Sequence, residues 1–400
     1  MTKKNTSITS TLRPLALPPL SLYVHIPWCE RKCPYCDFNS HTTQHQIPEA
    51  LYIDCLVKDI EQQLTHIQNR KVSSVFFGGG TPSLFSGSGI ASILSRINDH
   101  IDFAPDIEIT LEANPGTTEQ KRFREYLKAG VNRLSIGIQS LNDSQLNALG
   151  RIHDSQQAIS AVKAAKSEGF DNFNLDLMHG LPNQTLEQAI DDLAQAVQLG
   201  AKHLSWYQLT IEKNTAFYKQ PPTLPHNDLL ADIESEGFKL LAREGYQQYE
   251  ISAFATENHQ SKHNLNYWRF GDYIGIGAGA HSKITHASTN TIIRNQKTRL
   301  PDDYMDHLSK TIKTTDESAG LWRTVETSAL PLEFMMNCLR LVDGVPSVYF
   351  QRYTGLPLQE IEGALTRLRA QNLMAESSER IASTELGRRF LNNALEEFMA

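Results

Sequence analysis

Strand-like and helix-like segments alternate from residue 21 to residue 254, and this alternation confines the chain to an α/β fold built on a parallel sheet. The strand candidates are Leu22–Ile26, Val72–Phe77, Ile107–Glu112, Leu134–Ile138, Asn172–Leu177 and Leu204–Leu209. Each is short, and most are rich in aliphatic or aromatic residues, as suits strands buried on both faces. Helical spacing fills the gaps. Leu56, Ile60, Leu64 and Ile67 share one face, as do Ile90, Ile93, Leu94 and Ile97, and Leu186, Ile190, Leu193 and Val197. Thr185–Gln188 and Thr117–Gln120 read as capping boxes, and Asp154 caps a further helix. Gly130, Gly169 and Gly200 are the matching stops. Six such units are too few for a closed eightfold barrel. The pattern does not separate an open barrel from an open doubly wound sheet. Both place functional side chains where strands end and loops begin.

Residues 1–19 are polar and then broken by Pro14, Pro18 and Pro19, which predicts a flexible arm rather than a signal peptide. The barrel core is expected over residues 20–255. Residues 256–320 are less regular, with a Gly-rich run from Gly271 to Gly279, and read as an extension and linker. The character changes again over residues 321–400. Phe334, Met335, Cys338, Leu339 and Leu341 suggest one helix and Leu358, Ile361, Leu365 and Leu368 another. Leu373–Ile381 reads as a hairpin and Leu386–Met399 as a last helix, giving a small, mostly helical C-terminal domain. No apolar run approaches a membrane span. A net charge of −7 argues against a broad basic surface, so nucleic acid is not an expected partner.

The chemistry concentrates in His25-Ile-Pro-Trp-Cys29-Glu-Arg-Lys-Cys33-Pro-Tyr-Cys36-Asp-Phe38. Three of the five cysteines fall within eight residues, which argues against a disulfide framework and for a reducing compartment, by default the cytoplasm. Three thiolates can ligate three corners of an iron–sulfur cubane. The absent fourth ligand leaves one iron open to an exogenous molecule, the logic that distinguishes catalytic from structural metal sites. Pro27 and Pro34 keep the segment from becoming a helix. The competing reading is a zinc site completed by His25 and His41, against which stands the position of the loop after the first strand of a βαβ array. Cys55 and Cys338 lie in apolar helical patterns and read as packing.

Polar residues follow at successive strand ends. Gly78-Gly79-Gly80-Thr81-Pro82 follows the second strand; it allows close approach of backbone to ligand but lacks the Lys-Ser/Thr of a phosphate loop. Glu112 and Gln139 end two strands, Asp176 lies near the end of another, and Arg151 sits in the turn Leu149-Gly150-Arg151. A single such residue is more often solvated than functional; repetition over several strand ends argues for one shared pocket.

The C-x3-C-x2-C spacing after a first strand, with Tyr35 just before the third cysteine, resembles the radical S-adenosylmethionine (SAM) superfamily. That resemblance implies a partial (β/α)6 barrel and a [4Fe–4S] cluster on Cys29, Cys33 and Cys36 whose open iron binds SAM. The combination of His25-Ile-Pro-Trp-Cys29, Gly-Gly-Gly-Thr-Pro, Glu-Ala-Asn-Pro and Gly-Ile-Gln-Ser is similar to a narrower group: oxygen-independent coproporphyrinogen III oxidases and the HemW heme chaperones. It implies that Tyr23, Gly79 and Glu112 contact a first SAM, and Gly80, Thr81, Gln139, Arg151 and Asp176 a second.

Within that group three features point to a chaperone rather than an oxidase that decarboxylates propionate side chains. The oxidases carry a further cysteine two positions after the third ligand, where this chain has Phe38. They also have a longer N-terminal stretch. Finally, His263-Asn-Leu-Asn-Tyr267-Trp268 resembles a motif of the chaperone group linked to heme. Physically, His is a common axial ligand to heme iron, and Tyr and Trp offer flat apolar faces. The same residues could equally pack beneath a barrel. His281 is a weaker candidate of the same kind. The expected partners are heme and acceptor heme proteins, with respiratory proteins at a membrane, and hence peripheral membrane contact, as the family-level expectation. A tRNA-modifying enzyme is disfavoured by the acidic balance.

Overall fold

A computed structural model describes residues 13–42, 46–310 and 322–399. The six expected strands form: β1 (Leu20–Ile26), β2 (Val72–Gly79), β3 (Phe103–Ala113), β4 (Arg133–Gln139), β5 (Phe173–His179) and β6 (His203–Gln208). They pair in parallel and in chain order. Helices α1 (Glu49–Glu61), α2 (Gly87–Asn98), α3 (Thr117–Ala129), α4 (Ser155–Ser167) and α5 (Leu186–Gln198) provide the crossovers. Strand side chains are buried on both faces: in β1 Leu20, Leu22, Val24 and Ile26 line one face and Ser21 and His25 the other, and the apolar face packs beneath helix residues such as Leu56, Ile90, Phe123, Val162 and Leu193. The capping boxes at Asp154 and Thr185 both close. At the third site Thr117 is the first residue of α3 rather than its cap, and the N-cap is Gly116.

The helix expected through Leu56 to Ile67 ends as α-helix at Glu61, and Leu64–His66 continues as a short 3-10 turn. A larger difference lies beyond residue 255. The segment expected to be an irregular linker adds three strands, β9 (Asp272–Ile276), β10 (His281–His286) and β11 (Thr291–Gln296); the short strands β7 (Gln247–Glu250) and β8 (Ala253–Ala255) just before it and β12 (Arg323–Thr324) just after it form the two edges of the sheet. The sheet order is β12-β11-β10-β9-β1-β2-β3-β4-β5-β6-β8-β7. Strand β9 runs parallel to β1, so the sheet continues past its first strand instead of stopping there. Glycine hid β9 from the sequence. Gly275 has no side chain because a Cβ there would lie 2.0 Å from the His281 carbonyl oxygen.

Helix α6 (Asn227–Arg243) covers the far edge, and the short helix α7 (Lys262–Trp268) lies against β1, β2 and β9. The C-terminal residues form a second core around Phe334, Met335, Cys338, Phe350, Leu365 and Leu368. The expected Leu373–Ile381 hairpin forms and reaches to Thr384: Met374 bridges Ser383 in antiparallel sense, the Ala375 N–H donates to the Ala382 carbonyl (2.9 Å) and the Thr384 N–H to the Leu373 carbonyl (3.1 Å). Ile381 pairs in addition with Val345, and the last helix is broken into Glu385–Arg389 and Leu391–Glu396. Residues 1–12 of the expected arm lie outside the described residues. Residues 13–16 are docked: Arg13 and Ala16 donate backbone N–H bonds to Gly355 and Arg352 (both 3.0 Å), and Leu15 is buried in the C-terminal core. Among the described residues no helix is long and apolar enough to cross a membrane.

Candidate functional site

The carboxyl ends of β1 to β6 converge on a cavity of about 530 Å³ lined by all three clustered cysteines. The cysteine loop leaves β1 and is held from both sides. The Cys36 N–H donates to the Cys33 carbonyl (3.1 Å), and the Pro34 carbonyl accepts from the Phe217 N–H (2.9 Å). Burial raises the pKa of the Cys29 and Cys36 thiols, and a hydrogen bond from Ser40 and the nearby Lys32 ammonium oppose it. Arg151 Nη1 donates to Cys33 Sγ at 3.5 Å. All five cysteines are free. Among the described residues no three His, Cys, Asp or Glu side chains gather closely enough for a single metal ion. His25 is also occupied: Nε2 faces the Asn39 carbonyl (2.9 Å) and Nδ1 accepts from the Tyr23 hydroxyl (3.0 Å).

The glycines after β2 are required by space. Gly79 has φ +119°, and a Cβ there would fall 2.6 Å from the His25 ring; at Gly80 it would fall 2.4 Å from the Trp28 carbonyl oxygen. The backbone thus lies directly against the cysteine loop. Glu112 Oε2 accepts from the Gly79 N–H (3.1 Å). Its pKa is pushed up to about 8, mainly by burial and then by the neighbouring Asp176 carboxylate. Asp176 is also raised by burial, against hydrogen bonds from Asn174 (2.8 Å) and Ser135 (3.0 Å). Gln139 takes φ +65° as β4 ends, and its Oε1 accepts from the Tyr207 hydroxyl (2.8 Å). Asn114 joins two of the expected residues: it donates to Thr81 Oγ1 (3.1 Å) and accepts from Arg151 Nη2 (2.8 Å).

Gly79, Gly80, Thr81, Glu112, Gln139, Arg151 and Asp176 therefore share one cavity with the cysteines. Tyr23 does not line it. It lines an adjoining cavity of about 950 Å³ beside β1, β9, β10 and β11, which shares Phe38, Gly79, Glu112, Trp268 and Arg340 with the first. Sequence reasoning missed Asn114, Ser135, Asn174, Ser205 and Tyr207. A signal existed: Ser135, Gly137 and Gln139 share one parity on β4, as do Asn174, Asp176 and Met178 on β5 and Ser205 and Tyr207 on β6. That parity is the face turned to the cavity, with Asn174 below its floor holding Asp176.

The His263-Asn-Leu-Asn-Tyr267-Trp268 segment divides. His263 is 1% exposed, bonded through Nδ1 to Ser74 (2.9 Å) and through Nε2 to Tyr267 (2.9 Å), and its ring stacks on Phe76. Burial lowers its pKa to about 3. This corrects the expectation of an open ligand: both nitrogens are engaged, and His263 fixes α7 to β2. Tyr267 and Trp268 do reach the larger cavity.

Residues 23–196 match the radical SAM superfamily, and residues 328–390 match the HemN C-terminal domain. The chain is 51% identical over 387 residues to a heme chaperone HemW of Haemophilus influenzae, covering 96% of this chain and 98% of that protein. It is 49% identical over 384 residues to the Escherichia coli heme chaperone HemW, covering 96% and 99%. Its fold matches the solved structure of coproporphyrinogen III oxidase (HemN) from Escherichia coli with a TM-score of 0.79 at 23% identity, over 96% of this chain and 90% of that one.

Proposed function

Because the chain belongs to the HemW family within the radical SAM superfamily, we propose that it is a heme chaperone, binding heme and passing it to acceptor heme proteins. The observation that carries this reading is identity of about half, sustained over nearly the whole length of two heme chaperones. Acceptors would be respiratory heme proteins met from the cytoplasmic side of a membrane.

In this reading Cys29, Cys33 and Cys36 would hold a [4Fe–4S] cluster, beside which SAM would bind. When bound, the pair supplies one-electron chemistry. The chain's own residues prepare that site. Arg151 donates a hydrogen bond to the Cys33 sulfur. Lys32 lowers the pKa of the Cys29 and Cys36 thiols. Gly79 and Gly80 bring backbone against the cysteine loop. Glu112 gains a cationic partner when an ammonium or sulfonium enters, and its proton then leaves. Gln139, Arg151 and Asp176, with Thr81 and Gly80, suit the nucleoside part of a SAM molecule, and Tyr23 contributes from the adjoining cavity by orienting His25 beneath Gly79. Phe38 is 61% exposed and lines both cavities, so no fourth thiol approaches the cluster from that position.

The test is anaerobic reconstitution followed by two assays. The account predicts a saturable Soret shift with hemin and no conversion of coproporphyrinogen III in the presence of SAM and reductant. Production of protoporphyrinogen IX, or no Soret shift, overturns it. Replacing any one of Cys29, Cys33 or Cys36 by Ala is expected to abolish cluster retention, read as iron and sulfide content.

A further inference from the structure

The larger cavity holds a combination of groups that the cluster site does not use. His281 opens β10 with an exposed side chain, and among the described residues no hydrogen bond engages its ring. Arg294 and Arg299 are the charged groups that act on it electrostatically. Burial and these two guanidiniums lower its pKa, so the ring is neutral and keeps a free lone pair near neutral pH. Arg299 contacts Asn39 Oδ1 (3.4 Å) and has no carboxylate partner among the described residues. Arg294 is shared between Glu333 and the Tyr273 hydroxyl.

The opposite character lines the remaining wall. Tyr267 and Tyr273 stand edge to face at 4.5 Å, and Trp268 lies under the Arg340 guanidinium. Phe38 and Met336 are 61% and 52% exposed at this cavity. Such large apolar side chains in the open mark a surface that a ligand covers. A flat apolar ligand carrying carboxylates and a metal that accepts an imidazole would cover the aromatic wall, give Arg299 the carboxylate partner it lacks, add one beside Arg294, and engage the His281 ring. The volume of about 950 Å³ lies in the range of sites for sizeable cofactors.

We propose that this cavity is the heme site: a ring nitrogen of His281 donates its lone pair to the iron, and Arg294 and Arg299 hold the propionates. The inference rests on the heme-binding reading above and adds the ligand and the orientation. It transfers the axial role from His263, whose nitrogens are both engaged. Tyr267 and Trp268 flank the macrocycle. The shared wall of Glu112 and Gly79 places this site next to the cysteine site.

The experiment titrates hemin into the full-length, cluster-reconstituted chain and into His281→Ala, read by Soret absorption and electron paramagnetic resonance. The wild type is expected to show an imidazole-ligated signature, which His281→Ala loses and added imidazole restores. Affinity is expected to fall about tenfold. Wild type is also expected to prefer hemin over its dimethyl ester, and Arg299→Gln to lose most of that preference. A His281→Ala spectrum identical to wild type overturns the inference and leaves heme binding standing. No shift in the wild type overturns both.

Discussion

Glu112 carries the sharpest consequence at the scale of single residues. Its carboxyl keeps a proton up to about pH 8 in the folded chain, against an ordinary value of 4.5. Between those values the folded state binds more protons than the unfolded one, so this residue makes stability fall as pH rises. Glu112→Gln removes the effect. The urea midpoint of the ligand-free variant should decline less than that of wild type between pH 5 and pH 8, while its affinity for SAM falls. Parallel pH profiles would contradict the assignment. Most of the site was legible residue by residue because strand ends carry polar groups in an otherwise apolar pattern. Asn114, Ser135, Asn174, Ser205 and Tyr207 were not, since their role is to hold another polar side chain across a strand boundary. His263 shows the converse limit: a motif gives the residue, but only packing shows which way its ring faces.

Among the elements, β9 decides how the sheet continues beyond β1. It begins at Asp272, buried and bonded to Arg70 (2.7 Å), Lys283 (3.0 Å) and Thr285 (2.8 and 2.9 Å). Arg70 precedes β2 and Lys283 lies on β10, so one carboxylate ties three strands of the sheet. Asp272→Asn leaves two cations facing a neutral group, and we expect a loss of about 3–5 kcal/mol in urea denaturation. A loss below about 1 kcal/mol would contradict that role. The six parallel strands were readable from sequence because hydrophobic runs alternate with capped helices. Strand β9 was not, because a buried aspartate and Gly275 break the apolar pattern that marks a strand. The docking of residues 13–16 escaped for a related reason. A proline-rich stretch reads as loose until Leu15 is seen buried in the C-terminal core.

For the whole molecule, the barrel and the C-terminal core meet around the larger cavity, with Glu333, Met336, Asn337 and Arg340 from the second facing His281 and Arg294 from the first. Heme bound there would lie between two separately packed cores, next to the cysteine site. A site at such a seam can open by movement of one core against the other, which is what delivery of a cargo requires. The most direct measurement of the central claim is transfer from the heme-loaded, reconstituted protein to a heme-free b-type respiratory acceptor, followed by the acceptor's Soret band. The account predicts a transfer rate that rises with acceptor concentration, the mark of direct handover. A rate independent of acceptor concentration would mean that heme merely dissociates, and would contradict it.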